Sequence, residues 1–459
     1  MGVKTEQVTE NPEEIQDDVS GQQVVEAAEE ASIDEGKLND LKAKLAKKQN
    51  KEETMPPRIV ERKRRSLNFG VVGSGQGGSR LSEAFFNLGY SAICFNTAPQ
   101  DLEHIQLPEE NKYLLKYGIG GAAKEIELGR AAAEAHKDGI NALVHEKLGD
   151  AQVFLFCLSL GGGSGAGSCE TIIDVLTSTG KPVVVITVLP MSTDDAQTKN
   201  NSLLTLSKLA KAAQSKQIAN LICVDNAKIE TIYSNVGQMD FFKVSNDAIV
   251  EPIDVFNIFS SRSSQVKSLD SMEMAKLFTD GEGLTVYGKI DVANYEEDTA
   301  IAEAVINNLD AGLLASGFDL KQTKYAGILI IANKSVWDKI PSSSVNYALS
   351  MVHDVCGSVD SIFRGIYVDD DIKENVVKIY SMFSGLGLPD TRVQQLKKEA
   401  ETEASKTKIR ADSRNVTLSL NTGVEKATSD ADKVRQMIKQ KSSTFGKNFG
   451  VGTRDLRKK

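Results

Sequence analysis

The residues with the most evident chemistry in this chain are ones with almost no side chain. Gly161-Gly-Gly-Ser-Gly-Ala-Gly-Ser168 places five glycines and two serines in one short stretch. Without Cβ atoms the backbone can approach an oxyanion closely and adopt positive φ, and consecutive N–H groups then line a concave anion site. The hydroxyls of Ser164 and Ser168 add donors. A second cluster, Gly73-Ser-Gly-Gln-Gly-Gly78, and a third, Gly118-Ile-Gly-Gly121, repeat the theme. Glycine clusters also occur as plain loops, so the chemistry depends on what flanks them.

What flanks them is regular. The apolar run Val153–Leu158 reads as a buried parallel strand before Gly161, and Cys169–Leu176 has helical apolar spacing after it. A strand, a glycine loop and a helix together aim a helix N-terminus at an anion. The run Ser66–Val72 is the strand before Gly73, and Leu81, Ala84, Phe85 and Leu88 mark the helix after it. This second unit matches the G-x-G-x-x-G dinucleotide pattern. Two features oppose an NAD site: the next strand, Ser91–Phe95, ends in Asn96-Thr97 where Asp or Glu would meet the ribose, and the Gly161 loop is one more than a single dinucleotide needs. No Gly-Lys-Ser/Thr follows either loop, which excludes a P-loop. A helix is expected at about Ala122–Ala135, with further strands at Pro182–Leu189 and Leu221–Val224. Alternating βα units predict an α/β fold, a doubly wound parallel sheet whose loops converge at one edge on one polyphosphate.

Beyond this unit, Asp240–Ser264 has mostly helical apolar spacing and reads as a long central helix between two domains, with Pro252 expected to kink it or mark an irregular turn. Strand-like runs at Leu284–Tyr287, Gly327–Ile331, Phe363–Val368 and Val376–Phe383 predict a smaller α+β domain with a mixed sheet. The expected organisation is an acidic disordered arm over 1–65 ending in the basic run Arg62-Lys-Arg-Arg65, a nucleotide domain over 66–240, the central helix over 241–265, the α+β domain over 266–390, and a flexible basic tail over 391–459. Leu396–Lys408 has helical character within that tail.

The chain has 459 residues, enough for two full cores, and a formal charge of −9. Residues 391–459 carry 17 Lys/Arg against 8 Asp/Glu, so the rest is strongly acidic. Such a tail suits DNA or another acidic partner, or is simply solvated. No apolar run reaches the roughly 20 residues a membrane helix needs, and the acidic start lacks an apolar export signal. Five scattered cysteines imply reduced thiols in a cytoplasm, and four isolated histidines argue against a zinc site.

The glycine triplet followed by Ser-Gly-Ala-Gly resembles the signature of the tubulin/FtsZ superfamily of GTPases. The resemblance spans roughly residues 67–388 and includes Gly75-Gln-Gly-Gly78, Asn96-Thr97, Glu127-Leu-Gly-Arg130, Asn226-Ala-Lys228, Asn246-Asp247 and Gly385-Leu-Gly387. It implies a cytoskeletal GTPase that binds GTP/GDP with Mg²⁺ and polymerises head to tail with itself. By resemblance, Gly75, Gln76, Gly77, Gly78 and Ser79 hold phosphates, together with Gly162, Gly163, Ser164, Gly165 and Gly167. Asn96 belongs to the same site, and Gly120 and Gly121 lie near the γ-phosphate. Asp194 matches a ribose contact; Asn226, Asn246 and Asp247 match groups on guanine, and Phe242 the ring that stacks on it, with a core aromatic and a surface carboxylate as the ordinary alternatives for Phe242 and Asp194.

In that family the next subunit supplies the catalytic loop, and here Ser268-Leu-Asp270-Ser-Met-Glu273 takes its place, with Ser268 where the family has Asn. Asp270 and Glu273 would share a helix face and polarise the attacking water, although Asp270 also suits a helix start through the dipole alone. Thr198 or Lys199 stands where FtsZ has an arginine. The acidic arm, Gln76 and the basic tail depart from division FtsZ and look more like TubZ and phage tubulins, whose filaments move or position DNA. Two rival readings are a non-polymerising nucleotide-binding scaffold on the same fold and, opposed by Asn96, an NAD-dependent oxidoreductase.

Overall fold

The computed structural model describes residues 64–413, apart from Gln238, Met239 and Asp298. The expected arm before residue 64 and the tail after 413 lie outside the described residues. One ten-stranded sheet runs through the molecule in the order β3-β2-β1-β4-β5-β6-β7-β10-β8-β9. Its first half is β1 Phe69–Ser74, β2 Ser91–Asn96, β3 Lys112–Leu114, β4 Val153–Ser159, β5 Val183–Leu189 and β6 Asn220–Asp225, all parallel. The second half is β7 Leu284–Val292, β8 Tyr325–Ala332, β9 Ser361–Val368 and β10 Val377–Leu386, with β10 antiparallel between β7 and β8 and β9 parallel to β8.

The mixed second sheet expected from sequence is therefore joined to the first. Leu221 and Ile222 of β6 pair in parallel with Leu284 and Thr285 of β7. Apolar runs such as β4 alternate between two cores: Phe154, Phe156 and Leu158 pack on one face, and Val153, Leu155 and Cys157 on the other. Both faces are covered, which is why these strands read as continuous apolar runs.

The helices are α1 Gly75–Asn87, α2 Pro99–Glu103, α3 Ile126–Ala135, α4 Lys137–Leu148, α5 Gly163–Ser178, α6 Ala196–Gln214, α7 Asn226–Ile232, α8 Phe241–Phe259, α9 Ser271–Thr279, α10 Ala300–Asn307, α11 Lys334–Trp337, α12 Ser342–Cys356 and α13 Asp390–Ser413. The helix expected from Ala122 starts only at Ile126, because Ala123 and Lys124 adopt positive φ in the loop before it. The central helix α8 is continuous through the buried Pro252. Next to the Ala248 carbonyl, which the proline leaves without its N–H donor, the Tyr287 hydroxyl donates to the Ile249 carbonyl at 2.7 Å. Residues before the first strand also reach this helix, since Arg65 pairs with Asp254 at 2.8 Å and stacks on Tyr90.

The flexible tail expected from 391 needs correction over its first part. Residues 390–413 form α13, whose Leu396 and Ala400 are buried and whose Arg392 enters the interior as an ion pair with Asp225. The apolar signal is sparse because few positions, Val393, Leu396 and Ala400, meet the core, and the buried Arg392–Asp225 pair completes the docking.

Candidate functional site

In the sheet order, β1 is followed on one side by β2 and β3 and on the other by β4, β5 and β6. The winding direction reverses between β1 and β4, and the crevice at their carboxyl ends is where open α/β sheets bind ligands. The first two glycine clusters emerge at this point. Helix α1 begins at Gly75 directly after β1, and α5 begins at Gly163 after β4, so two helix N-termini face one cleft.

The loops meet backbone to backbone. Gly75 has φ +68°, and a Cβ there would sit 2.8 Å from the Gly165 nitrogen. A Cβ on Gly78 would lie 2.2 Å from the Cys157 carbonyl of β4, and one on Gly167 would lie 2.4 Å from the Ile126 carbonyl of α3. Those two glycines serve close packing. Gly162, by contrast, has open space where a side chain would be. Buried Ser74 and Ser168 tie the two units together, with their hydroxyls 2.6 Å apart, and Thr97 does the same with Ser164 at 2.6 Å. The third glycine loop docks on the second strand loop through Gly121 N–H to the Thr97 carbonyl at 2.8 Å.

The resulting cleft measures about 450 Å³. Of the residues anticipated from sequence, Gly75, Gln76, Gly77, Gly121, Gly162, Gly163, Ser164, Gly165, Asp194, Asn226, Phe242 and Asn246 line it. Gly78, Ser79, Asn96, Gly120, Gly167 and Asp247 are not among the lining residues. Asn96 is fully buried and braces a turn, accepting from Ala98 N–H and donating to Asp101. Asp247 lies on the exposed side of α8, paired with Lys243 at 2.7 Å.

The rest of the cleft lining is a set of oriented polar groups beside one ring. Asp194 is held by its own loop, accepting from Met191 N–H at 2.8 Å. Asn226 opens α7 immediately after Asp225, whose carboxylate caps that helix by accepting from Ala227 N–H. Phe242 is 42% exposed, and the Arg80 guanidinium lies 5.1 Å from its ring centre. Asp195 caps α6 by accepting from Thr198 and also binds Lys124 at 2.5 Å. These bonds, that to Lys124 foremost, hold its carboxyl down to about 2. Thr198 lines the cleft, whereas Lys199 is buried and donates to the Ser192 carbonyl, so of the two only Thr198 borders the cleft.

Asp270 and Glu273 sit beyond the far end of α8. Asp270 caps α9 by accepting from Met272 and Glu273 N–H at 2.8 Å each, and Glu273 accepts from Asp270 N–H at 2.9 Å. Both carboxylates thus form a capping box, with Asp270 on the surface.

Residues 68–234 match the Tubulin/FtsZ family, GTPase domain, and residues 267–390 match the C-terminal domain of the tubulin-like protein TubZ. The chain belongs to the tubulin/FtsZ superfamily. It is 24% identical to the tubulin-like protein CetZ of Pyrococcus abyssi over 69% of this chain and 85% of that protein. It is 23% identical to the tubulin-like protein TubZ of Bacillus cereus over 74% of this chain and 86% of that one. Its fold is shared with a GTPγS-form protofilament of Bacillus thuringiensis serovar israelensis TubZ, at a TM-score of 0.69 and 19% identity over 77% of this chain and 96% of that one.

This tubulin-like GTPase also has cleft residues that the sequence reading missed. Arg80 stands two positions after Gly78, so its signal was a base in the opening turns of the helix that follows that glycine loop. Lys124 and Ser245 gave no such signal. Among the described residues no cluster of metal-ligating side chains is present, and no helix is long and apolar enough to cross a membrane.

Proposed function

We propose that the chain is a filament-forming GTPase whose cleft holds GTP or GDP and whose Asp270 and Glu273 act on the nucleotide of the adjacent subunit. The observation that carries this reading is the separation of its two functional ends. The cleft lies at the start of α8, and the carboxylate pair follows its other end, and a helix of 19 residues spans on the order of 28 Å. A chain cannot bring this pair to its own γ-phosphate, but head-to-tail stacking can, and such a heterologous contact propagates as a filament. Each end also exposes apolar side chains: Ile119 and Tyr117 by the third glycine loop, Val266 and Met272 beside Asp270.

In this reading the N–H groups of the glycine loops and two helix N-termini stabilise the phosphates, which is most of what phosphoryl transfer asks of a protein. Asn226 and Asn246 offer amide donors and acceptors to the guanine edge, Phe242 its face, and Asp194 accepts from the ribose. Mg²⁺ would supply charge neutralisation on the phosphates. Its fit here rests on Asp101, the carboxylate at the cleft beside Gln76, since Mg²⁺ is usually held by one or two carboxylates plus substrate phosphates. Asp270 or Glu273 of the neighbour would orient the attacking water and accept its proton.

Five buried thiols, with burial pushing Cys169 and Cys223 up to about 12, suit a reducing cytoplasm. The basic residues after α13 suit DNA or a DNA-bound adaptor, whose binding should weaken steeply with salt through counterion release. A second reading, a nucleotide-binding scaffold that does not polymerise, is favoured by the capping box, which accounts for Asp270 and Glu273 without catalysis. GTP hydrolysis per subunit against protein concentration separates the two. A rate that rises above an assembly threshold, along with light scattering, supports the filament; a rate constant on dilution, without scattering, leaves the scaffold.

A further inference from the structure

We propose that Arg392, at the start of the C-terminal helix α13, is a positioning residue for the nucleoside half of the cleft and couples nucleotide occupancy to the docking of that helix. The proposal rests on the reading of the cleft as a guanine nucleotide site.

Arg392 lines no part of the cleft, yet it ties together two of the loops that do. Its Nε donates to Asp225 Oδ2 at 2.6 Å and its Nη2 to Asp225 Oδ1 at 3.3 Å, a two-toothed grip on the residue before Asn226. The same Nη2 donates to the Pro190 carbonyl at 3.1 Å, at the head of the loop that carries Asp194. Pro190, Asp194 and Asn226 all line the cleft. One guanidinium 202 positions downstream of Pro190 therefore sets the spacing between the loops after β5 and β6.

A second cation closes the arrangement from α6. Lys199 is 1% exposed, donates to the Ser192 carbonyl at 2.7 Å and lies 3.5 Å from Glu399 of α13. Glu399 in turn accepts from Arg392 Nη1 at 3.3 Å and from Gln395 at 2.8 Å. Both cations bind a carbonyl of the 190–192 stretch and both contact the same carboxylate on α13. Arg392 and Asp225 are each almost fully buried, and burial pushes the Asp225 carboxyl up while Arg392 opposes that. Buried charge clusters are poor sources of stability, but the planar guanidinium fork fixes geometry in a way that apolar packing does not.

Coupling between sites is reciprocal. If α13 holds the two loops at nucleoside spacing, a bound nucleotide that needs this spacing must hold α13 in place. The helix leads directly into the basic segment, so occupancy of the cleft would be felt at the root of that segment.

The test uses the full chain at concentrations where light scattering shows no assembly. Binding of fluorescent GDP is measured for wild type, Arg392→Gln and Arg392→Lys, together with amide hydrogen exchange over residues 393–408. Arg392→Gln should weaken GDP on the order of tenfold. Arg392→Lys, which keeps the charge without the fork, should fall between. GDP should slow exchange over 393–408 in wild type and much less in Arg392→Gln. A purely structural arginine would lower Tm in the variants while GDP affinity and the effect of GDP on exchange stayed at wild-type values, and that result overturns the proposal. Should Arg392→Gln not fold, Glu399→Gln and wild-type exchange carry the test alone: exchange over 393–408 that GDP leaves unchanged overturns it. A wild type that binds no GDP defeats the cleft reading itself, an outcome distinguishable from equal binding by wild type and variant.

Discussion

The two ends of the central helix are built from opposite materials. At its start, the cleft is backbone held in place by close packing, and its carboxylates are engaged: Asp101 accepts from Gln76 and Asn96, and Asp194 from its own loop. At its end, exposed Asp270 and half-buried Glu273 are side chains on a helix start, in a stretch that also exposes Met272 and Val266. The carboxylates of both ends already accept hydrogen bonds, but only the first end presents glycine loops and two helix N-termini to a cleft. On the proposed reading neither end is a complete active site, and the complete one spans two copies.

Substitutions that keep the helix cap while changing the chemistry break this comparison most directly. Asn caps as well as Asp, and Gln serves in a capping box as Glu does. Asp270→Asn and Glu273→Gln should thus leave folding, GTP binding and assembly near wild type, while turnover in filaments falls on the order of 10²–10⁴-fold. Phosphate release and sedimentation measure both. Wild-type turnover in both variants would mean that the pair is a cap and nothing more.

The next effect concerns the apolar faces. Met272 is 68% exposed in the single chain. If stacking buries it, Met272→Glu removes about 1.5–3 kcal/mol of apolar burial per contact and should raise the critical concentration at least tenfold. GDP affinity below the assembly threshold should not change, because this end holds no nucleotide. A critical concentration equal to wild type would place the contact elsewhere.

A smaller effect sharpens the cleft end. Asp195 caps α6 and ties it to Lys124, whose carbonyl also receives the Asn201 amide at 2.8 Å. Asp195→Ala should cost about 1 kcal/mol of stability near neutral pH. The Asp195 carboxyl is depressed from 3.8 to about 2, so its contribution is complete above pH 4 and is lost as pH falls through about 2. The difference between wild type and variant in denaturant midpoint should close over that range. A gap that stays constant from pH 5 to pH 2 would show that the carboxylate is not the source.

How much of this was legible in the sequence follows from how local each signal is. Strands β1, β2, β4, β5 and β6 are legible because both their faces are covered, and the glycine loops because close approach at Gly75, Gly78 and Gly167 and positive φ at Gly118, Gly120 and Gly121 favour that residue type. The joining of the two sheets was not legible, since it depends on two residue pairs at Leu221 and Ile222. Nor was α13, whose docking arginine meets partners more than 160 positions away. The glycines illustrate a subtler limit. Gly162 and Gly167 look alike in sequence, yet one faces open space and the other packs against α3.

A last pair of substitutions tests the base contacts. Spacing after Phe242 offers two adjacent candidates on α8, Asn246 and Asp247, and residues one apart on a helix do not share a face. Asn246 lines the cleft four positions after Phe242, one turn away on the same side. Asp247 points to solvent and meets Lys243. Asn246→Ala should therefore weaken GTP about tenfold through loss of a buried hydrogen bond and reduce discrimination against ATP. Asp247→Ala removes only an exposed i,i+4 pair, which contributes little, and should leave GTP affinity within about twofold. Competition binding of GTP and ATP to both variants decides the matter. If Asp247→Ala proves the more damaging, α8 must turn when nucleotide enters, carrying Asp247 toward the base. The helix that links the two ends would then be a moving part, and the capping box at its far end would move with it.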